Sequence, residues 1–279
     1  MSNPKSRILL IDADVYIYKA ASAVEVAIEW EPGYWTWHCD SDAVKRRVLQ
    51  MIDDTMDRFK GTEYRLCLTD SEKNFRFDVL ETYKGNRKAT KRPLVLKHIK
   101  QWLIDEYDAL TRPRLEGDDI LGIFATWDAI KGDKVIVSLD KDLKTIPGKY
   151  VRDLNGQIET ITPREAEKYW MKQTLSGDVT DGYTGCPGVG LGTAEKIIEG
   201  GLKTIPYEHT LLRGPRKGEV EIRWKDEKCD DLWEVVVSRF EAAGLTEADA
   251  LVQAQVARIL HASDYNFKDK EHILWTPKN

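Results

Sequence analysis

Arg7-Ile8-Leu9-Leu10-Ile11-Asp12 is a short apolar run that ends on a carboxylate, and the pattern returns twice, in Tyr64–Asp70 (YRLCLTD) and Lys134–Asp140 (KVIVSLD). Continuous hydrophobicity over so few residues suits a strand covered on both faces, as in a parallel sheet. Between these runs lie segments with helical patterning: Val15–Ala23, Ser41–Lys60 closed by Gly61, and Leu94–Glu106 with Leu96, Ile99, Trp102, Leu103 and Tyr107 near one face. Alternating strand and helix signals predict an α/β fold with a mostly parallel sheet flanked by helices. The acids then gather at the carboxyl edge of the sheet, where ligands of open α/β sheets collect.

Smaller features fill the gaps. Glu29–His38 (EWEPGYWTWH) reads as a hairpin around Pro32-Gly33. Its Trp30, Tyr34, Trp35 and Trp37 have the chemistry to stack on bases, although packing against the body of the protein is the expectation. Phe75–Leu80 alternates like a short strand, Leu115–Ile130 is a helix opened by acids, and Asn155-Gly156 is a hairpin turn between Tyr150–Asp153 and Ile158–Ile161. Thr162–Gln173 is a helix with Thr162 as its cap, and Asp231–Ala243 and Thr246–Ala262 are further helices. Ile273–Trp275 reads as a last short strand, while Gly200–Asp231 shows no assignable pattern. The sheet signal stops near Ile161, which divides the chain into residues 1–161 and a helical region, 162–279.

The 279 residues suffice to bury roughly three-quarters of the unfolded surface. No apolar run reaches the roughly 18 residues of a membrane span, and no signal-peptide core follows Met1–Arg7. The four cysteines are scattered without a C-x-x-C pair and read as reduced thiols of a cytoplasmic protein. Net charge is −5, yet Lys84–Lys100 holds seven Lys or Arg and no acid. That distribution, rather than the total, points to an anionic partner. The alternative reading of Thr82–Pro93 is a solvated loop.

Carboxylates dominate the chemistry. Asp12, Asp70, the Glu116/Asp118/Asp119 trio, Asp140/Asp142 and Asp178/Asp181 make nine acids in five groups. Close carboxylates repel unless a cation neutralises them, and hard cations such as Mg²⁺ take oxygen ligands. Nine exceed the need of one ion, which suggests two, an arrangement suited to phosphodiester displacement. Asp140 and Asp142 point the same way if the chain stays extended, and Asp178 and Asp181 share a face if they lie on a helical turn. Gly185-Cys186-Pro187-Gly188-Val189-Gly190 is a glycine-rich turn before a helix, Thr193–Glu199, which suits backbone amides gripping a phosphate. The same stretch also reads as a capped helix with solvated acids. The chain contains no H-E-x-x-H and no G-x-x-x-x-G-K-[ST], which argues against a zinc protease or a nucleoside triphosphatase.

The order Asp12, Asp70, Tyr83–Arg87 (YKGNR), Glu116–Asp119 (E-G-D-D), Asp140–Asp142 (D-K-D) and Gly177–Gly190 resembles the flap-endonuclease superfamily of 5′ nucleases. Within it, the chain looks most like the small T-odd-type bacteriophage 5′→3′ exonucleases. The resemblance covers roughly residues 7–200. It implies a PIN-like fold with a basic arch near 82–106 and a helix–three-turn–helix DNA-binding motif near 176–199. It implies two divalent ions, Mg²⁺ or Mn²⁺, held by the nine acids, with a K⁺ ion at the helix–three-turn–helix in some relatives. Lys84 and Arg87 match arch residues that steady the scissile phosphate. Tyr83 falls where an aromatic stacks on a terminal base. Lys88, Gly188, Val189, Gly190 and Lys196 match or adjoin DNA-backbone contacts. The implied partners are duplex DNA with 5′ ends or flaps and RNA–DNA hybrids, acted on by a monomer away from any membrane. Ala13 departs from the glycine common after the first acid, and Asp14 competes with Asp12; Asp12 is favoured because it ends the strand. Alternatives are a PIN-type endoribonuclease and a non-catalytic, structure-specific DNA-binding protein.

Overall fold

The computed structural model describes residues 6–86, 91–152 and 156–277. The expectations for Arg87, Lys88 and Asn155 fall outside these described residues. The elements run β1 (Arg7–Asp12), α1 (Ala13–Val24), β2 (Val26–Glu31), β3 (Tyr34–His38), α2 (Ser41–Phe59), β4 (Glu63–Cys67), α3 (Arg76–Val79), α4 (Leu96–Tyr107), α5 (Gly117–Thr126), β5 (Asp133–Val137), β6 (Gly148–Val151) and β7 (Glu159–Ile161). They continue with α6 (Pro163–Ser176), α7 (Leu191–Gly200), β8 (Leu202–Thr210), β9 (Val220–Lys228), α8 (Leu232–Ala242), α9 (Glu247–Ala257), β10 (Tyr265–Asn266) and β11 (Glu271–His272).

The chain forms two compact units. The first comprises 1–75, 88–163 and 259–273; the second comprises 76–87, 164–258 and 274–279. In the first, a five-stranded sheet has the order β4-β1-β5-β6-β7, parallel except for the antiparallel β6–β7 pair. Leu9, Leu10 and Ile11 are fully buried in the central strand β1. Burial of each such side chain stabilises by about 1.5–3 kcal/mol, and Ile17, Val48, Ile52, Ile99 and Leu103 from the helices complete the same core. This is the architecture expected from the apolar runs. The second unit packs Tyr83, Trp170, Leu175, Ile197, Val236 and Phe240 into its own core.

The structure departs locally from these expectations. Helix α2 stops at Phe59 because Lys60 itself takes the left-handed conformation (φ 56°), one residue before Gly61. Phe75–Leu80 is not a strand: residues 76–79 are helical, and the Arg76 side chain is buried, its Nε donating to Val256 O (2.9 Å) and its Nη2 to Arg258 O (2.6 Å). Helix α5 ends at Thr126, short of Ile130, because Trp127 turns extended (ψ 117°). Strand character lies at Glu271–His272 rather than Ile273–Trp275. The unassigned stretch after Gly200 contains the nine-pair hairpin β8–β9, docked on α8 by Thr204 N–H donating to Ser238 Oγ (3.0 Å). The aromatic hairpin β2–β3 forms as expected, but Trp30 and Tyr34 do not pack on the body, being 69% and 71% exposed, while Trp37 meets the Lys91 ammonium.

Candidate active site

The order β4-β1-β5 brings three acid-ended strands side by side in the first unit. Asp12 ends β1 and caps α1, Oδ1 accepting from Val15 N–H (3.3 Å) and Oδ2 from Ser138 Oγ–H (2.7 Å). Burial raises its pKa to about 6 against the pull of these donors, with Asp14 and Asp140 pushing the same way. Asp118, in the first turn of α5, is raised well above the usual carboxylate range by burial, then by Asp12, Asp140, Glu116 and Asp119. Two desolvated carboxylates, Asp12 and Asp118, are therefore pressed by the charges of Asp14, Glu116, Asp119 and Asp140 around them.

The remaining acids of this unit surround that cluster. Asp140 does not continue an extended strand with Asp142. It caps a 3₁₀ turn, Lys141–Thr145, and its Oδ1 accepts from Asp142 N–H (2.8 Å), so the extended geometry that would point both carboxylates the same way is not formed. Asp142 pairs with Lys141 (2.9 Å). Asp70 lies three residues beyond β4 and accepts from Arg114 N–H (2.9 Å). Asp119 is fully buried: Oδ2 accepts from Glu116 N–H (3.1 Å) and Oδ1 from Leu260 N–H (3.2 Å).

Asp14, the rival to Asp12, is committed elsewhere. Its Oδ2 accepts from Thr69 N–H (2.7 Å), and Oδ1 pairs with Lys100 (2.5 Å). Thr69 Oγ in turn accepts from Gly117 N–H (3.0 Å). Asp14, Lys100 and Thr69 thus set the end of β4 against the start of α5. Sequence reading missed Thr69, Lys100 and Ser138 in these roles; Ser138 left one trace, a hydroxyl interrupting an apolar run.

Among the described residues, no three His, Cys, Asp or Glu side chains close into a finished ligand shell. Asp12 and Asp118, however, are desolvated with other carboxylates around them. A crowd of buried, mutually repelling oxygens is the donor set that a hard divalent cation takes. The residues fit such an ion.

The second unit holds Asp178 and Asp181 on a tight turn rather than a helical one. Asp178 and Tyr183 exchange backbone hydrogen bonds (2.9 and 3.2 Å), and Asp178 Oδ1 accepts from Thr180 N–H (2.6 Å) and Asp181 N–H (3.3 Å). Lys84 N–H donates to Asp181 O (2.7 Å), and the Lys84 ammonium lies 3.9 Å from Asp181 Oδ2 and 4.9 Å from the Tyr83 ring. Gly182 (φ +73°) permits this approach, since a Cβ there would meet Thr82 O at 3.0 Å. Tyr83 is 1% exposed, with its hydroxyl donating to Asp181 Oδ2 (3.2 Å). The expectation of a ring open to a terminal base is therefore corrected: core packing has claimed it.

Helices α6 and α7 bracket the glycine-rich turn. Gly177 and Gly185 are required by close approach, because a Cβ on Gly185 would lie 2.3 Å from Gly177 N. Gly188 and Gly190 face open space, whereas Val189 N–H is spent within the turn on Cys186 O (3.1 Å). The Val189 amide is thus not available to a phosphate as expected. Lys196 is exposed on α7.

A mainly parallel sheet with a carboxylate cluster at the ends of its central strands defines a PIN-like α/β nuclease fold. The family model described as 5′-3′ exonuclease, N-terminal resolvase-like domain, matches residues 7–171. The chain is 35% identical over 288 residues to the exodeoxyribonuclease of Enterobacteria phage T3, covering 98% of this chain and 93% of that protein. It is likewise 35% identical over 286 residues to the exonuclease of Escherichia phage T7, covering 97% and 93%. Among solved structures, a zinc-bound T5 5′-exonuclease shares the fold at 15% identity and a TM-score of 0.51, over 69% of this chain and 74% of that one. The chain belongs to the 5′-3′ exonuclease family and is a 5′→3′ exonuclease.

Proposed function

We propose that this exonuclease depends on divalent metal and hydrolyses duplex DNA from a 5′ end, releasing 5′-phosphate products. We extend the reading to 5′ flaps and to the RNA of RNA–DNA hybrids. The observation that carries it is the crowding of Asp12 and Asp118 with Glu116, Asp119 and Asp140, whose mutual repulsion a divalent ion would relieve. The exodeoxyribonuclease and exonuclease names of the T3 and T7 relatives, and the zinc in the T5 structure, support the same reading.

In this scheme Asp12, Asp70, Glu116, Asp118, Asp119, Asp140, Asp142, Asp178 and Asp181 are the candidate ligands of two Mg²⁺ or Mn²⁺ ions, directly or through water. Such ions activate water and stabilise the oxygens of an in-line displacement. Ser138 holds the Asp12 carboxylate in place through its hydroxyl. Lys84 and Arg87 steady charge on the scissile phosphate, and Lys88, Lys196 and the turn at Gly188 and Gly190 grip the duplex backbone as part of a helix–three-turn–helix, without the Val189 amide. A K⁺ ion at that turn, a monomeric state and a cytoplasmic location complete the proposal; among the described residues no helix is long and apolar enough to cross a membrane.

The test is a duplex labelled separately at the 5′ end, the 3′ end and internally, incubated in Mg²⁺ or EDTA. Early release of 5′ label in Mg²⁺ alone is expected. Binding without cleavage in both buffers would overturn the reading.

A further inference from the structure

Lys100 closes the basic stretch Lys84–Lys100, yet its charge is spent inside the protein. It stands on α4, whose Ile99 and Leu103 are fully buried, so the helix that carries it is fixed by the core. Its ammonium lies 2.5 Å from Asp14 Oδ1 and donates to the Thr69 carbonyl oxygen (3.4 Å). The two side chains of the pair are only 31% and 25% exposed. Partial burial protects such a pair from the screening that weakens exposed ones.

Asp14 carries the constraint onward. Its Oδ2 accepts from Thr69 N–H (2.7 Å), and Thr69 Oγ1 accepts from Gly117 N–H (3.0 Å). The two segments that meet here are ones that bear candidate metal ligands: Asp70 follows Thr69, and Glu116 and Asp118 flank Gly117. Two more bonds close the same seam, Asp70 N–H donating to Leu115 O (3.0 Å) and Arg114 N–H to Asp70 Oδ2 (2.9 Å). The junction is close-packed, since a Cβ on Gly117 would touch Asp14 Oδ2 and Thr69 Oγ1 at 3.5 Å. Mg²⁺ demands near-ideal octahedral oxygen positions at about 2.0–2.1 Å, whereas Ca²⁺ accepts looser ones. A seam that holds ligand-bearing segments at one separation therefore matters most to the smaller ion.

We propose that Lys100, Asp14 and Thr69 are positioning residues that fix the spacing of Asp70 from Glu116 and Asp118, and thereby favour Mg²⁺ over Ca²⁺. This rests on the divalent-metal reading and assigns to Asp14 a bracing role in place of a ligand's. The experiment titrates the full-length protein with MgCl₂ or CaCl₂ alone by calorimetry, and measures its affinity for a blunt duplex in EDTA. Lys100→Met and Thr69→Val should each weaken Mg²⁺ binding about tenfold or more, the range for groups that orient ligands. Ca²⁺ binding should weaken less, Thr69→Ser should bind both ions as the wild type does, and duplex affinity in EDTA should stay unchanged. Plain electrostatics gives the opposite sign for Lys100→Met, because removing a nearby cation strengthens the attraction for a divalent ion. Tighter Mg²⁺ binding in that variant would overturn the proposal and make Asp14 a ligand held back by its lysine. Equal losses for Mg²⁺ and Ca²⁺ would overturn it too, as would weaker duplex binding with unchanged Mg²⁺ affinity, which would make Lys100 a phosphate contact. Thermal melts in EDTA identify folded variants; Lys100 is part-exposed and Met keeps most of its stem, so this variant carries the test if Thr69→Val does not fold. A wild type that takes up neither ion would instead count against metal dependence itself.

Discussion

Asp12 in the first unit and Asp178 in the second are both aspartates that cap a local turn through Oδ1, yet their surroundings differ. Asp12 is 6% exposed and is pressed by Asp14, Asp140 and its neighbour Asp118. The Asp178–Asp181 turn is instead held by protein groups of complementary character: two backbone amides, the Tyr83 hydroxyl and the Lys84 ammonium. One group of acids is buried among like charges. The other has its geometry fixed by the protein itself. The same residue type is therefore pressed by like charges in one place and braced by protein donors in the other.

The contrast yields four expected outcomes. The largest is for Asp118→Asn, where Mg²⁺-dependent turnover on labelled duplex should fall below about one-thousandth of wild type. Loss of groups that merely orient ligands already costs about 10–100-fold, and a central ligand costs more. Turnover close to wild type would remove Asp118 from the metal site. Next, Lys84→Ala should lower kcat about a hundredfold, as expected for one well-placed electrostatic donor, with little change in duplex Kd. Equal losses in both would make Lys84 a binding residue.

The third outcome concerns stability. In the metal-free protein the folded pKa of Asp12 lies near 6, above the ordinary 3.8, so the native state binds more protons than the unfolded state between those values. Stability from this group is present below pH 4 and lost as pH rises through about 6. Thermal melts in EDTA should show that decline after the contribution of other groups is subtracted using Asp12→Asn, and added Mg²⁺ should reverse it. Identical pH profiles for Asp12→Asn and wild type would end the claim of strain. The smallest effect is for Tyr83→Phe, which removes one hydrogen bond to Asp181 and should cost under about 1.5 kcal/mol in stability or turnover.

Much of this was legible in the sequence where hydrophobicity and charge coincide. The runs Arg7–Asp12 and Lys134–Val137 announce buried parallel strands because nothing polar interrupts them, and the acids that follow mark the sheet edge. The hairpin β8–β9 was hidden for the opposite reason. Pro206 sits within it, charged residues recur along it, and most of it is exposed, so no alternation survives to be read. Tyr83 was misjudged because its sequence neighbours are basic. Its burial is set by contacts distant in sequence, among them an edge-on packing against Phe77 and the hydrogen bond to Asp181. Asp178 and Asp181 have the spacing of a helical pair, but Gly177 (φ +66°) and Gly182 (φ +73°) bend the backbone into a turn.

One backbone hydrogen bond also bears on the order in which the first unit is completed during synthesis. Asp119, next to Asp118 at the start of α5, is held by the amide of Leu260, and Gly122 on the same helix has no Cβ because Leu260 O would lie 2.4 Å from it. The unit that carries the carboxylate cluster is therefore closed by residues 259–273, translated long after its sheet. Domains fold as their residues emerge, so a nascent chain halted before Ile259 exposes the acids without the amide that seats them. Helix α5 is therefore seated only after residues 259–273 have been made.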